Sequence, residues 1–199
     1  MERRNFFKLG FKGAAKAALK VADTKAENRA SHWIRPPFAV RELDFLLLCT
    51  RCDKCIDVCE PKVLFHLAPR LGAQVVNTPV MDLLNKGCLM CEGWPCVTVC
   101  EPKALVLPED IDTENKEKTP PLPKFAKIII NKTTCLPFSG PECGACKSVC
   151  PVPGALTMDG PRPQIDPNLC TGCALCRVAC IVEPKAVLVS SLPEAAPNK

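Results

Sequence analysis

The chain is poor in the aromatic residues that small proteins usually place in their interior. It contains no tyrosine, and aromatic residues make up only 5% of its 199 residues. Proline occurs 21 times, and the hydrophobic fraction of 47% is inflated because it includes sixteen cysteines. A chain of this composition cannot bury a large conventional core, so something other than aromatic packing must supply part of its folding free energy.

Long apolar runs and histidines are scarce as well. No stretch reaches the roughly eighteen apolar residues that indicate a membrane-spanning helix. The only histidines are His32 and His66, and neither lies in a recognisable catalytic motif. We interpret both as surface or packing residues, because the chain has so little other equipment for acid–base chemistry. These absences argue against an independent enzyme.

The cysteines form four quartets, which we number in chain order. Their members are Cys49, Cys52, Cys55 and Cys59; Cys88, Cys91, Cys96 and Cys100; Cys135, Cys143, Cys146 and Cys150; and Cys170, Cys173, Cys176 and Cys180. Quartets one and four match the C-x2-C-x2-C-x3-C run of bacterial ferredoxins, whose first three thiolates bind one 4Fe–4S cluster and whose fourth binds another. Four quartets therefore predict four 4Fe–4S clusters that use every cysteine once.

Other uses of so many cysteines fit the spacing less well. Disulfide frameworks are typical of small secreted domains, but cysteines only two residues apart are too tightly nested for eight independent bridges. Structural zinc sites of four cysteines use two separated C-x2-C pairs, and they lack the third closely spaced cysteine. A catalytic thiol is excluded because no cysteine is left over.

The positive charge does not indicate a nucleic-acid partner. The formal net charge of +5 counts every cysteine as neutral. An oxidised cluster with four thiolate ligands carries about −2, so four such sites leave the loaded protein near −3. We therefore expect no nucleic acid among the partners.

The predicted fold class is α+β, with two tandem ferredoxin-like modules that each hold two clusters around little conventional core. Residues 1–33 form a basic amphipathic N-terminal segment and linker, and 34–107 the first module. Residues 108–124 are a linker rich in proline and charge, and 125–199 the second module. Short strands should flank the quartets, among them 104–107, 128–131, 155–158, 164–166 and 186–189. A helix or turn over 42–48 should lead to quartet one, and a short helix should begin between the third and fourth cysteines of each quartet.

The N-terminal segment has two functional interpretations. Arg3-Arg4-Asn5-Phe6-Phe7-Lys8 resembles a twin-arginine export signal, but lysines at every fourth position follow it and no clear cleavage site does. On a helix those lysines form one stripe beside an apolar face. Residues 1–22 are then either a retained helix that docks on a partner or a membrane surface, or a weak export signal; a frayed, solvated helix is the third reading. We expect a cytoplasmic protein, with periplasmic export by the twin-arginine route as the alternative.

The pairing of quartets decides which cysteines share a cluster. The short gap between Cys150 and Cys170 suits a compact two-cluster module, which favours sequential pairing. The predicted ligand sets are then Cys49, Cys52, Cys55 and Cys100; Cys88, Cys91, Cys96 and Cys59; Cys135, Cys143, Cys146 and Cys180; and Cys170, Cys173, Cys176 and Cys150. Nested pairing of quartets one with four and two with three, as in electron-transfer subunits of molybdenum oxidoreductases, is the alternative.

Several motifs together resemble one group of polyferredoxins. They are Ile34-Arg35-Pro36-Pro37, Cys49-Thr50-Arg51-Cys52, the long first gap of quartet three and Cys170-Thr171-Gly172-Cys173. They resemble the NapF/NapG/MauM group, ferredoxin-type accessory proteins of periplasmic nitrate reductase and methylamine utilisation. The resemblance implies an electron carrier or a maturation factor serving a redox enzyme, exported in some members and cytoplasmic in others.

Two functions of different class follow from these observations. The first is an electron-transfer polyferredoxin that relays electrons to or from a redox enzyme, such as a molybdoenzyme or a membrane quinol/quinone oxidoreductase. The second is an interaction protein that matures a molybdoenzyme, with its clusters used structurally or in cofactor assembly. In neither case is the chain itself an enzyme.

Overall fold

The computed structural model describes residues 21–22, 24–26, 33–108 and 122–192. The predicted N-terminal docking helix and the 108–124 linker therefore lie almost wholly outside the described residues. Within these ranges the chain forms short helices and three two-stranded antiparallel sheets. This mixed architecture agrees with the α+β class. No helix in the described part of the chain has the length and apolar content needed to cross a membrane.

The first half, which we define as residues 33–108, contains one two-stranded sheet. Its elements in order are α1 (Glu42–Leu48), α2 (Lys54–Asp57), β1 (Leu64–His66), a 3-10 turn (Pro69–Leu71), β2 (Pro79–Met81) and α3 (Pro95–Thr98). Leu64 lies opposite Met81 in the sheet. The strand pairing between the two ends of this half is limited to an isolated bridge between Ala39 and Leu105.

The second half, residues 122–192, contains two sheets. Its elements in order are β3 (Ala126–Ile130), α4 (Leu136–Ser139), β4 (Leu156–Asp159), β5 (Arg162–Ile165), α5 (Leu175–Val178) and β6 (Val187–Ser191). Strands β3 and β6 pair over five residues, with Ile128 opposite Val189. Strands β4 and β5 form a hairpin whose turn includes Gly160 at φ +56°, a conformation that glycine adopts without steric cost.

In the described part of the chain, buried apolar side chains form three groups. The largest group combines aliphatic residues of both halves, such as Leu83 and Val187, with cysteines of the first, second and fourth quartets. The second surrounds Phe45 and Trp94, and the third surrounds Trp33 and Val75. Cysteines are thus part of the interior rather than an addition to it.

Two local predictions were wrong. Residues 104–107 do not form a strand, because only Leu105 pairs, through the bridge to Ala39. Quartet three has no helix between its third and fourth cysteines; residues 145–149 form turns instead. Its helix, α4, lies in the long gap after Cys135, where Pro137 occupies the first turn that tolerates proline. In the other quartets the short helix starts one residue before the third cysteine.

Candidate iron–sulfur sites

Four cavities, each lined by four cysteines, are the main feature of the structure. The space inside them, counted with the part that is open to solvent, is about 400, 370, 370 and 330 Å³. The first is lined by Cys49, Cys52, Cys55 and Cys100; the second by Cys59, Cys88, Cys91 and Cys96; the third by Cys135, Cys143, Cys146 and Cys180; and the fourth by Cys150, Cys170, Cys173 and Cys176. Every cavity combines three cysteines of one quartet with the fourth cysteine of another.

The remaining walls of the cavities are largely apolar. Phe45 and Leu105 line the first cavity, and Ile128 and Leu156 line the fourth. Trp94 is buried, lines the second cavity and packs edge-on against Phe38 with ring centroids 5.0 Å apart. Four cysteines are the ligand set of a 4Fe–4S cluster. The apolar walls limit solvent access, which is one of the factors that set the reduction potential of such a cluster.

Residues with a left-handed backbone conformation, at positive φ, curve three of the cysteine loops. The residue two positions after the first cysteine has positive φ in quartets one, two and four: Arg51 at +58°, Met90 at +49° and Gly172 at +85°. A second left-handed residue, Asp53, Trp94 or Ala174, stands directly before each short helix. Successive left-handed turns wrap the backbone around the cavity, and most L-residues adopt this conformation only at a cost.

Backbone N–H groups point at some of the sulfurs as a result. The amides of Met90 and Gly172 hydrogen-bond the sulfurs of Cys88 and Cys170. Burial raises the pKa of both thiols, while these hydrogen bonds act in the opposite direction. The loop geometry therefore supplies fixed donors for a thiolate or for a cluster held by it.

Burial is the main cause that raises the pKa of Cys55, Cys88, Cys96 and Cys176 to about 12. A thiol with so high a pKa keeps its proton at neutral pH. Thiolate ligation must release that proton, so metal loading and proton release are coupled at these sites. Such buried, protonated thiols are also poor nucleophiles.

The cysteines surround each cavity rather than converge on one point. Within residues 33–108 and 122–192, no three Cys, His, Asp or Glu side chains are close enough to hold a single metal ion. Cysteines placed around the walls of a cavity suit a polynuclear group, which spreads its ligands over several irons.

Sequence reasoning missed two arginines beside the first cavity. Arg35 donates to both oxygens of Glu42, at 2.8 and 2.6 Å, and also to the Thr78 hydroxyl at 2.8 Å. Arg51 donates to the carbonyl oxygens of Val76 and Gln74 at 3.0 and 2.8 Å. The only sequence signal was the pair of motifs that contain them, Ile34–Pro37 and Cys49–Cys52, which indicated kinship but no contact.

The structure describes only one of the two histidines. His66 is exposed and its Nε2 lies 2.8 Å from the Oδ1 of Asp53, which lines the first cavity. His32 lies outside the described residues. His66 is thus a surface residue in contact with a carboxylate.

The chain is similar to ferredoxin-type proteins over most of its length. The ferredoxin-type protein NapG of Haemophilus influenzae is 30% identical over 206 residues, 94% of this chain and 71% of that protein. The methylamine utilization ferredoxin-type protein MauM of Methylorubrum extorquens is 31% identical, over 89% of this chain and 80% of that protein. The ferredoxin-type protein NapF of Escherichia coli is 30% identical over 77% and 84%.

No protein-family model and no solved structure matches the chain. The three relatives described above carry the names that the sequence motifs suggested, at about 30% identity and over most of both chains. With its four cysteine-lined cavities, the chain belongs to the NapF/NapG/MauM group of ferredoxin-type proteins, which are iron–sulfur proteins of electron transport.

Proposed function

We propose that the protein is an electron-transfer polyferredoxin with four 4Fe–4S clusters, one in each cavity. The observation that carries this proposal is the composition of the cavities, since four separate cavities each present four cysteines and mostly apolar walls. In the proposed ligand sets, Cys49, Cys52, Cys55 and Cys100 hold the first cluster, and the sets lining the other three cavities hold the rest. Nested pairing is not favoured, because none of these four cavities contains cysteines of both quartets one and four.

The clusters would supply reversible one-electron chemistry, and the chain controls where that chemistry occurs. Backbone donors such as the Met90 amide stabilise the thiolate form of their cysteine. Buried Phe45, Leu105 and Val187 exclude water from the cavities that they line. We propose that residues 34–107 and 125–199 act as two ferredoxin-like modules, because each range contains two of the cavities.

The direct test is analysis of anaerobically purified protein. We expect about sixteen iron and about sixteen acid-labile sulfide per chain, from four clusters of four irons each. Stepwise reduction should then produce the magnetic resonance signals of several reduced clusters. Stoichiometric zinc, or about half of the expected iron and sulfide, would overturn the proposal.

The partner that we propose is a redox enzyme, of the molybdoenzyme or quinol/quinone oxidoreductase type. This assignment rests on the family, one of whose members is named for methylamine utilization. It does not rest on a contact in the structure. Rapid reduction or reoxidation by a candidate enzyme would support the carrier. Binding confined to the immature enzyme, with no electron exchange, would instead indicate a maturation factor.

Residues 1–22 and the location of the protein are also proposals. We propose a retained docking segment on a cytoplasmic protein. Removal of residues 1–22 should leave iron content unchanged, since no cysteine lies there, and should weaken partner binding in a salt-dependent manner. Recovery of a mature protein that begins near residue 23 from the periplasm would show that the segment is an export signal.

A further inference from the structure

The two halves meet through the second and fourth quartets. The backbone N–H of Cys88 donates to the carbonyl oxygen of Cys173 at 2.8 Å. Close by, Nε of Arg177 donates to the carbonyl oxygen of Leu84 at 2.8 Å. Cys88 lines the second cavity and Cys173 the fourth, so these two cavities lie next to each other across the contact.

The packing at this contact is tight. A Cβ atom added to Gly87 would lie 2.7 Å from Cδ2 of Leu175 and 3.1 Å from its Cα. The largest buried group contains Cys59 and Cys88 together with Cys173 and Cys176. Cysteines of the second and fourth cavities thus share one continuous buried interior, although they lie in different halves of the sequence.

Short helices connect the two cavities within each half. Cys55 lies in α2 and lines the first cavity, whereas Cys59, one turn later, lines the second. Cys176 and Cys180 make the same connection between the fourth and third cavities. Cys59 and Cys180 lie in the turns that directly follow these helices. The four residues between the members of each pair span about one helical turn, about 6 Å, so the cavities of each half are immediate neighbours.

The burial of the cysteines follows the same arrangement. Two cysteines are buried in the second cavity, Cys59 and Cys88, and two in the fourth, Cys173 and Cys176. The third cavity has one, and the first has none and contains the exposed Cys52. The second and fourth cavities are therefore internal, and the first and third are nearer the surface.

From this geometry we infer that the four sites form a line in the order first, second, fourth, third, which differs from their order in the sequence. The inference rests on the proposed function, because it concerns the sites as cluster-binding sites. Cys88 and Cys173 form the junction between the halves, and any electron that passes between them crosses there. Redox partners then exchange electrons at the first and third sites, the two ends of the line.

The experiment removes one site at a time and asks which remaining site becomes isolated. The variants are Cys170→Ala in the fourth cavity and Cys143→Ala in the third, two cysteines of similar intermediate exposure. Each full-length variant is purified anaerobically, analysed for iron and sulfide, fully reduced and examined by electron paramagnetic resonance. Neighbouring reduced clusters broaden each other's signals, whereas a cluster without a neighbour gives a sharp, uncoupled signal.

The line predicts opposite results for the two variants. Cys170→Ala should leave the third site without a neighbour and give about one uncoupled spin per chain, while Cys143→Ala should give none. The reverse result would show that the sites follow the sequence order, and equal results would show that they are not in a line; both overturn the inference. If an alanine variant loses more than one cluster, Cys170→Ser and Cys143→Ser are compared instead, because serine can retain the cluster at a lowered potential. They are examined at a potential at which the serine-ligated cluster stays oxidised and diamagnetic while the other clusters are reduced, so that the same pattern of uncoupled signals is expected.

Iron analysis separates failure of this inference from failure of the proposed function. Wild-type protein without iron and sulfide would refute the function itself. Wild-type protein with about sixteen of each, but with the wrong pattern of isolated signals, would refute only the order of the sites.

Discussion

The two halves build similar pairs of cysteine-lined cavities on different supports. In the first half the segments near residues 33 and 108 pair at a single bridge, between Ala39 and Leu105. In the second half the corresponding contact is the five-residue pairing of β3 with β6. Two cavities lined by cysteines thus form in each half, although the amount of strand pairing beside them differs greatly. The cysteine loops therefore depend less on a particular sheet than the ferredoxin pattern suggests.

A buried polar network stabilises the first half where strand pairing is limited. Arg35 is 10% exposed and Glu42 only 3%, and their ion pair connects the chain before α1 to the first turn of that helix. Arg35 also donates to the carbonyl oxygen of Pro79 in β2 at 3.0 Å and lies 4.5 Å from the centre of the Phe45 ring. One side chain thus joins α1, β2 and the wall of the first cavity.

The inner strands differ in the same way. Strands β4 and β5 follow each other through a tight turn at Gly160. Strands β1 and β2 are separated by residues 67–78, and Arg51 anchors that segment through Val76 and Gln74. The comparison teaches that the first half depends on arginine-centred hydrogen bonds and the second on close backbone contacts, and each dependence can be tested.

The largest effect should come from Gly172→Ala in the second half. An added Cβ would lie 2.2 Å from the carbonyl oxygen of Ala126 in β3, and Gly172 has φ +85°. The obstacle is backbone, so the loss should exceed the roughly 1–3 kcal/mol of ordinary overpacking. We expect loss of iron from the fourth site, measured as iron per chain after anaerobic purification.

Gly144→Ala is the matched control for this substitution. Gly144 also lies in a cysteine loop, but a Cβ there meets no atom within 4 Å and its φ is not positive. This variant should keep the full iron content. Equal iron loss in the two variants would show that these cysteine loops reject any added side chain, and the close approach of Gly172 to β3 would then not explain the loss.

The second prediction breaks the polar network of the first half. Arg35→Met leaves Glu42 buried without its partner, and removal of one member of a buried ion pair costs about 3–5 kcal/mol. The shift in the denaturant midpoint measures this cost. Unfolding is monitored under anaerobic conditions as the loss of visible cluster absorbance. The double variant Arg35→Met/Glu42→Leu should recover much of the loss, because no uncompensated charge remains buried.

An arginine of the second half provides the control. Arg162 is exposed and its guanidinium lies 5.4 Å from the centre of the Phe138 ring, an interaction worth about 0.5–1 kcal/mol at exposed sites. Arg162→Met should therefore change stability far less than Arg35→Met. Similar losses in both variants would remove the distinction between the supports of the two halves.

Local sequence patterns predicted the parts of the fold that depend on neighbours along the chain. The apolar runs near 155–158 and 186–189 indicated β4 and β6, and cysteine spacing indicated loops that lead into short helices. The sets of four cysteines expected from sequential pairing are the sets that line the four cavities. Their roles as ligands stay a prediction.

Contacts between distant segments were beyond the reach of such patterns. Arg35 meets Thr78 across 43 positions of sequence, and nothing local indicates that pairing. The need for glycine at 172 follows from the approach of Ala126, whereas Arg51 and Met90 occupy the same loop position with positive φ. Nothing local in the apolar run 104–107 indicates that Leu105 alone would pair, with Ala39 as its partner.

The third prediction concerns the long strand pair of the second half. Ile128 is 7% exposed and lines the fourth cavity, whereas its neighbour Ile129 is 46% exposed, because successive residues of a strand face opposite sides. Ile128→Val should cost about 0.5–1.5 kcal/mol, and Ile129→Val should be close to neutral. The same denaturant midpoints measure both; equal effects would indicate that the buried face of β3 does not support the fourth site.

The smallest effect should come from an exposed ion pair of the first half. Nζ of Lys54 lies 2.5 Å from Oε1 of Glu101, and both side chains are largely exposed, at 44% and 77%. The hydrogen bond from Lys54 lowers the pKa of Glu101 and raises that of Lys54. Any stabilisation by the carboxylate is therefore present above the ordinary carboxyl pKa and is lost as pH falls through the lowered pKa.

At such exposed positions, solvent and salt screen the attraction, so Glu101→Gln should leave the denaturant midpoint at neutral pH unchanged within error. The matched variant is Glu42→Gln, which weakens the buried pair with Arg35 and should shift the midpoint clearly towards lower denaturant. Both midpoints are measured at low and at moderate salt. If Glu101→Gln destabilised the protein as much as Glu42→Gln, the first half would depend on surface charge, and its contrast with the backbone-supported second half would need a different explanation.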